Sequence, residues 1–233
     1  MEILAGTSGY AYKEWRGSFY PEDLSTDAML AYYAEHFETV EINNTFYRMP
    51  RESMLEGWAA KVPDGFQFVL KASRRITHLQ RLKGVDEPLS YLLNTAAVLG
   101  KRLGPLLFQF PPNMKKDLGR LKDFFASFPE GRRAAFEFRH DSWRDDDVHA
   151  LLRERNQALC VADTDDGDAT VVPTADWGYL RLRRSHYAPK DLRRWAETIA
   201  QQNWERAYVF FKHEDEGAGP RFAKAFLAEV QGA

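Results

Sequence analysis

Glu137 and Arg139 stand two residues apart in Ala-Phe-Glu-Phe-Arg-His, and Glu41 and Asn43 stand two apart in Val-Glu-Ile-Asn-Asn. In an extended chain that spacing puts both members of a pair on one face. A carboxyl group among phenylalanines has a raised pKa unless it is paired, which suits Glu137 to general acid/base chemistry. The structural alternative is an ion pair of Glu137 with Lys71 or Arg181. Glu41 is the second candidate acid or base, and it too needs a partner if buried. Around these two lie Lys71 in Phe-Val-Leu-Lys, Gln109 in Leu-Leu-Phe-Gln-Phe, Asp163, Arg181 and Arg183 in Leu-Arg-Leu-Arg, and Lys212 with His213. Three of these side chains are anions (Glu41, Glu137, Asp163) and five are cations (Lys71, Arg139, Arg181, Arg183, Lys212). That excess suits an anionic ligand, and arginine forks match phosphate or carboxylate geometry. Asn43 and Asn44 offer amides for neutral substrate groups, with Phe46 and Tyr47 as a stacking wall.

Other motifs are weaker. Gly6-Thr7-Ser8-Gly9-Tyr10 is read equally well as backbone N–H groups facing an anion or as a tight turn that needs glycine dihedrals. It lacks the final glycine of a nucleophile elbow. His78, His140 and His213 follow predicted strands, yet the polar strand-end positions are mostly Lys, Arg and Gln, which are poor ligands, so no metal site is expected. Asp163-Thr-Asp-Asp-Gly-Asp has its glycine out of register for a calcium loop. Arg74-Arg75 and Arg183-Arg184, near Tyr10, Tyr12, Trp15, Trp143 and Tyr187, would suit a single strand or a nucleotide. Cys160, the single cysteine, excludes an internal disulfide and reads as a small buried hydrophobe.

Short β-branched and aromatic runs must position these groups. Strands are predicted over Ile3–Ala5, Thr39–Ile42, Phe66–Leu70, Leu106–Phe110, Ala134–Phe138, Ala158–Val161, Tyr179–Leu182 and Tyr208–Phe211. Helical segments fall between most of them: Ser25–Glu35, Glu52–Ala60, Leu89–Lys101, Leu118–Phe128, Asp145–Arg155, Lys190–Asn203 and Arg221–Val230. No helical period follows the sixth strand. Strand–helix alternation implies parallel pairing with crossover helices. Eight strands in 233 residues predict one domain over residues 1–233, a closed (β/α)8 barrel (TIM barrel) with the helix after strand six reduced or missing. In that fold the polar strand ends converge on one mouth. A formal charge of −2 excludes a global basic field. No run reaches the roughly 18 apolar residues of a membrane helix, and the first residues lack a secretory pattern, so a cytoplasmic protein with no membrane partner is expected.

The chain resembles the YecE-like family, domain of unknown function 72. The resemblance rests on Gly6-Thr7-Ser8-Gly9-Tyr10 with Trp15 and Phe19-Tyr20-Pro21, Val40-Glu41-Ile42-Asn43-Asn44-Thr45-Phe46-Tyr47-Arg48, and Phe68-Val69-Leu70-Lys71-Ala72 with Ile76-Thr77-His78. It continues through Leu107-Phe108-Gln109-Phe110-Pro111-Pro112, Phe136-Glu137-Phe138-Arg139 with Trp143, and Tyr179-Leu180-Arg181-Leu182. It implies a TIM-barrel fold and no settled activity. The chain departs from the pattern at Arg183-Arg184-Ser185-His186, where His-Gly is usual after the arginine, and at Lys212-His213-Glu214-Asp215, where an Asn-rich turn is usual. The expectation is an enzyme (hydrolase, lyase or isomerase) without a redox cofactor or any other, acting on a phosphorylated small molecule. Glu137 or Glu41 would be the acid/base. Lys71, Arg139, Arg181, Arg183 and Lys212 would hold the anion, with Asn43, Asn44, Tyr47, Gln109 and Asp163 completing the pocket. A nucleic-acid-binding protein or metal-dependent nuclease, and a non-catalytic ligand sensor, are the alternatives. The oligomeric state is not legible.

Overall fold

The computed structural model describes residues 1–167, 169–213 and 217–232. Among these described residues nine strands run β1 (Glu2–Thr7), β2 (Thr39–Ile42), β3 (Gln67–Lys71), β4 (Leu103–Gln109), β5 (Ala134–Glu137), β6 (Ala158–Leu159), β7 (Val161–Asp163), β8 (Trp177–Leu182) and β9 (Arg206–Phe211). They form two sheets, ordered β1-β9-β8-β7 and β2-β3-β4-β5-β6, and every ladder is parallel. Helices α1 (Met29–Ala34), α2 (Glu52–Ala59), α3 (Asp86–Ala96), α4 (Leu118–Ser127), α5 (Asp146–Glu154), α6 (Pro189–Ala200) and α7 (Ala218–Gly232) lie between or after the strands. This is the α/β alternation expected from sequence, and no helix lies among the described residues between β7 and β8.

The continuous eight-stranded ladder of a closed barrel is not formed. The predicted sixth strand is split at Cys160: β6 pairs with β5 in one sheet and β7 with β8 in the other. The Cys160 N–H still donates to the Phe136 carbonyl at 2.9 Å. One residue earlier, the Leu159 N–H is taken by the Thr174 hydroxyl at 2.8 Å, a bond that a neighbouring strand would otherwise make. At the other seam a single bridge joins Ser8 to Glu41, supported by the Gly9 N–H donating to the Glu41 carbonyl at 2.8 Å. Gly6 permits this approach, because a Cβ there would lie 2.1 Å from the Thr39 carbonyl oxygen.

Strand side chains alternate between two apolar regions, as strands buried on both faces require. Phe68, Leu70, Leu106, Phe108 and Phe136 join the main core with the helices. Leu4, Val69, Leu107, Ala135, Trp177, Tyr179, Tyr208 and Phe210 form a second cluster. Two residues on from members of that cluster stand Lys71 (after Val69), Gln109 (after Leu107), Glu137 (after Ala135) and Arg181 (after Tyr179). A polar layer therefore caps an apolar one at the C-terminal ends of the strands.

Candidate functional site

Arg181 links the two sheets. Its Nη2 donates to Glu41 Oε1 at 2.9 Å and its Nη1 to Glu137 Oε2 at 2.6 Å. All three side chains are buried, at 2%, 0% and 2% exposure respectively. Ser8 Oγ and Asn43 Nδ2 donate to Glu41 Oε1 at 2.6 and 3.2 Å, and the Tyr179 hydroxyl donates to Oε2 at 2.6 Å. Glu137 is equally engaged. Gln109 Nε2 donates to Oε2 at 2.8 Å, while Arg139 Nε and Arg183 Nη2 donate to Oε1 at 3.2 and 3.3 Å. Lys71 Nζ donates to Gln109 Oε1 at 2.8 Å and lies 4.3 Å from the centroid of the Phe46 ring.

The ionisation of the layer follows from these contacts. Burial pushes the Glu137 carboxyl up, but Arg181, Arg183 and Arg139 outweigh it and hold it well below the carboxylate range. Burial acts the same way on Glu41, and Arg181 with the Ser8 and Tyr179 hydroxyls again prevails. Burial and then the Glu41 charge push the Tyr179 phenol up, so it stays a donor. Burial first, then Arg181, pushes Lys71 down to about 8. Burial, followed by Lys71 and Arg139, also lowers His78. The ion pair with Arg181, one of the two readings open from the sequence, removes the condition for a raised pKa at Glu137.

A pH dependence follows. Both glutamates have folded pKa values below the ordinary 4.5. Their stabilisation is therefore complete above that pH and is lost as pH falls towards the folded values. Urea midpoints measured between about pH 3 and pH 6 should rise with pH, and more steeply than in Glu41→Gln. Equal slopes would remove the claim.

The structure brings Glu41, Asn43, Lys71, Gln109, Glu137, Arg139, Arg181 and Arg183 together; of the other four predicted residues, one has a different set of partners and three are exposed. Asp163 is a separate hub, accepting from Arg184 Nε at 2.9 Å, the Tyr187 hydroxyl at 2.9 Å and Trp195 Nε1 at 3.2 Å. Asn44 is exposed and borders a cavity of about 370 Å³ with Arg48, Met49, Arg51, Met54 and Trp58. Tyr47 is 72% exposed, and the Lys212 side chain is also exposed. The anion-nest reading of the first turn is likewise corrected. The N–H groups of Thr7, Ser8 and Gly9 are taken by the Tyr33 hydroxyl and the Phe211 and Glu41 carbonyls. Trp15, Trp143 and Tyr187 are buried core residues, so they do not offer a stacking groove. Glu214 and Asp215, and Asp168 of the acidic run, lie outside the described residues. Among the described residues no three His, Cys, Asp or Glu side chains gather at metal-binding distance, and no helix is long and apolar enough to cross a membrane. Sequence reasoning missed Tyr179 as a partner of Glu41, although it lies two residues before Arg181 on the same strand face.

Parallel strands with crossover helices and a buried Glu–Arg–Glu layer at their C-terminal ends define an α/β protein with a charged interior site. Residues 4–233 match the family model described as "Protein of unknown function DUF72", and the chain belongs to that family. It is 30% identical over 153 residues to the UPF0759 protein YunF of Bacillus subtilis (strain 168), covering 60% of this chain and 52% of that one. It is 30% identical over 109 residues to the UPF0759 protein YecE of Escherichia coli (strain K12), covering 46% of this chain and 40% of that one. The chain thus spans about half the length of the curated relatives it matches. Two solved structures share its fold. A DUF72 family protein of Thermotoga maritima MSB8 has a TM-score of 0.81 at 24% identity, covering 99% of this chain and all of that one. One from Enterococcus faecalis V583 has a TM-score of 0.81 at 19% identity, covering 98% and 95%.

Proposed function

We propose that this chain is an enzyme acting on an anionic, phosphorylated small molecule at the C-terminal mouth of its strands, by acid/base chemistry. The observation that carries the reading is the charge imbalance of the layer: among the described residues, Lys71, Arg139, Arg181 and Arg183 stand with two anions, Glu41 and Glu137. Arg181 is consumed by the two carboxylates. Arg139 and Arg183 share one oxygen of Glu137 at 3.2 and 3.3 Å, and Lys71 has only a neutral acceptor among the described residues. Arg183 Nε is also buried without a hydrogen-bond partner among the described residues. Arg139 and Arg183 retain capacity for a phosphate, Lys71 adds its charge beside them, and Asn43 orients neutral groups. Glu41 and Glu137 stay ionised and hold Arg181 in place. Proton transfer passes from them to Lys71, whose pKa, lowered to about 8, lets it exchange protons near neutral pH. The two sheets are, in this reading, halves of one (β/α)8 ring, supported by the Ser8–Glu41 bridge and the Cys160–Phe136 hydrogen bond.

Inorganic phosphate and sugar phosphates should raise the thermal midpoint by mass action, through about 2.7 kcal/mol of added stability at a concentration one hundred times Kd. Arg139→Ala and Arg183→Ala should each remove most of that shift while leaving the unliganded midpoint near the wild-type value. A phosphate shift that survives both replacements, or no shift at any phosphate compound, overturns the reading.

A further inference from the structure

Lys71 differs from the other cations at the mouth. Arg139, Arg181 and Arg183 each donate to a carboxylate, whereas Lys71 Nζ donates to the neutral Gln109 Oε1 at 2.8 Å. The Gln109 amide cannot reverse without loss, because its Nε2 donates to Glu137 at 2.8 Å. The amine is thus aimed by a side chain that is itself fixed. The Phe46 ring supplies an apolar wall 4.3 Å away, and Thr45 ties the next turn to this strand by donating to the Lys71 carbonyl at 2.6 Å. The charged groups that act on the amine are Arg181 and Arg139, which disfavour its protonation, and Glu41 and Glu137, which favour it. His78 packs against the same Phe46 ring, 4.8 Å between centroids. An amine that is largely desolvated, without its own counter-ion and beside other cations, is the arrangement that activates a nucleophilic lysine. With a pKa of about 8, a useful fraction is free amine near neutrality.

We infer that Lys71 is a catalytic amine that condenses with the carbonyl carbon of a phosphorylated aldehyde or ketone, whose phosphate rests on Arg139 and Arg183. This inference rests on the anion-site reading above and adds the reacting group and the substrate class. The free amine adds to the carbonyl carbon, and the carbonyl π pair moves to oxygen. Nitrogen keeps one hydrogen and its positive charge in the resulting iminium. The other two protons of the starting ammonium leave with the carbonyl oxygen as water. No oxidant or reductant is consumed. The iminium then serves as the electron sink for breaking or shifting a bond at the neighbouring carbon.

The test uses dihydroxyacetone phosphate as probe with borohydride as trapping reductant, read by intact mass and peptide mapping. Lys71 should gain the mass of the probe less one oxygen, and inorganic phosphate should suppress the gain. Dihydroxyacetone without the phosphate should label Lys71 only at background. Lys71→Arg should lose the label and keep the phosphate-induced thermal shift. Lys71→Cys offers a rescue, because Cys160 is the single cysteine and is buried. Bromoethylamine would rebuild an amine of nearly the same reach at the new thiol and should restore labelling. Label confined to exposed lysines, with the phosphate shift intact, overturns the amine role and leaves the anion site standing. Loss of the phosphate shift itself removes the anion site. Equal labelling of Lys71 by both probes overturns the phosphorylated class.

Discussion

Replacing Arg181 by methionine should lower the stability of the fold by about 3–5 kcal/mol, the usual cost of removing one partner from a buried ion pair. Arg181 is 2% exposed and, among the described residues, is the one group that donates to both Glu41 and Glu137. Without it two carboxylates remain desolvated, and each keeps only part of its hydrogen bonding. Glu41, whose cation is Arg181, responds by taking up a proton, so its folded pKa rises above the ordinary 4.5, whereas Glu137 keeps Arg139 and Arg183. The sign of the Glu41 contribution then reverses. A carboxyl whose folded pKa is raised stabilises the fold in its protonated form, and that contribution is lost as pH rises through the folded value. The variant should therefore gain less stability between about pH 3 and pH 6 than the wild type does. Urea unfolding at two pH values checks both claims. The triple replacement Glu41→Gln, Glu137→Gln, Arg181→Met should recover part of the loss, since it leaves no buried carboxylate without its cation. A single-variant loss below about 1 kcal/mol, in the range of an exposed pair, would mean that solvent reaches the layer.

Gly6→Ala should be comparably severe for a different reason. The added methyl would stand 2.1 Å from the Thr39 carbonyl oxygen and 2.8 Å from the Tyr33 hydroxyl. The nearer atom is backbone, so no rotamer change relieves the contact. That hydroxyl donates to the same Thr39 carbonyl at 3.0 Å and accepts the Thr7 N–H at 2.8 Å. To make room, β1 must draw away from β2, and the Ser8–Glu41 bridge and the Gly9 hydrogen bond are strained together. Overpacking of this kind costs about 3 kcal/mol or more. Gly57→Ala is the internal control. Nothing lies within 4 Å of its Cβ position, and in helix α2 the change should stabilise by up to about 1 kcal/mol. Thermal midpoints of the two variants should move in opposite directions. A Gly6→Ala protein with a native midpoint would show that the seam between the sheets is loose.

Most of the architecture was legible because strands buried on both faces leave a distinct mark. Phe68-Val69-Leu70 and Leu106-Leu107-Phe108 are apolar without alternation, and a polar residue at the end of such a run must serve a purpose. That logic places Lys71, Gln109, Glu137 and Arg181 in one layer, where the structure also has them. Asp163 ends β7 and bonds instead to Arg184, Tyr187 and Trp195. The sequence leaves the protonation of Glu137 open between an acid and an ion pair, because it depends on which of three cations, Arg139, Arg181 and Arg183, reach its two oxygens. The split of the sixth strand at Cys160 has no composition signal, because it turns on the Thr174 hydroxyl fifteen residues after Leu159.

The pairing of β1 with β9, from Glu2 opposite Arg206 to Thr7 opposite Phe211, has a consequence for assembly order. Strands β2 to β5 pair with sequence neighbours and can zip together in turn as the chain emerges from the ribosome. Strand β1 has no ladder partner until Arg206–Phe211 has been made. Closing so long a loop is entropically costly and slow. For most of synthesis the first strand is therefore an unpaired edge, able to join another chain as readily as its own. The sheet that carries Arg181 is completed only once β9 has been made.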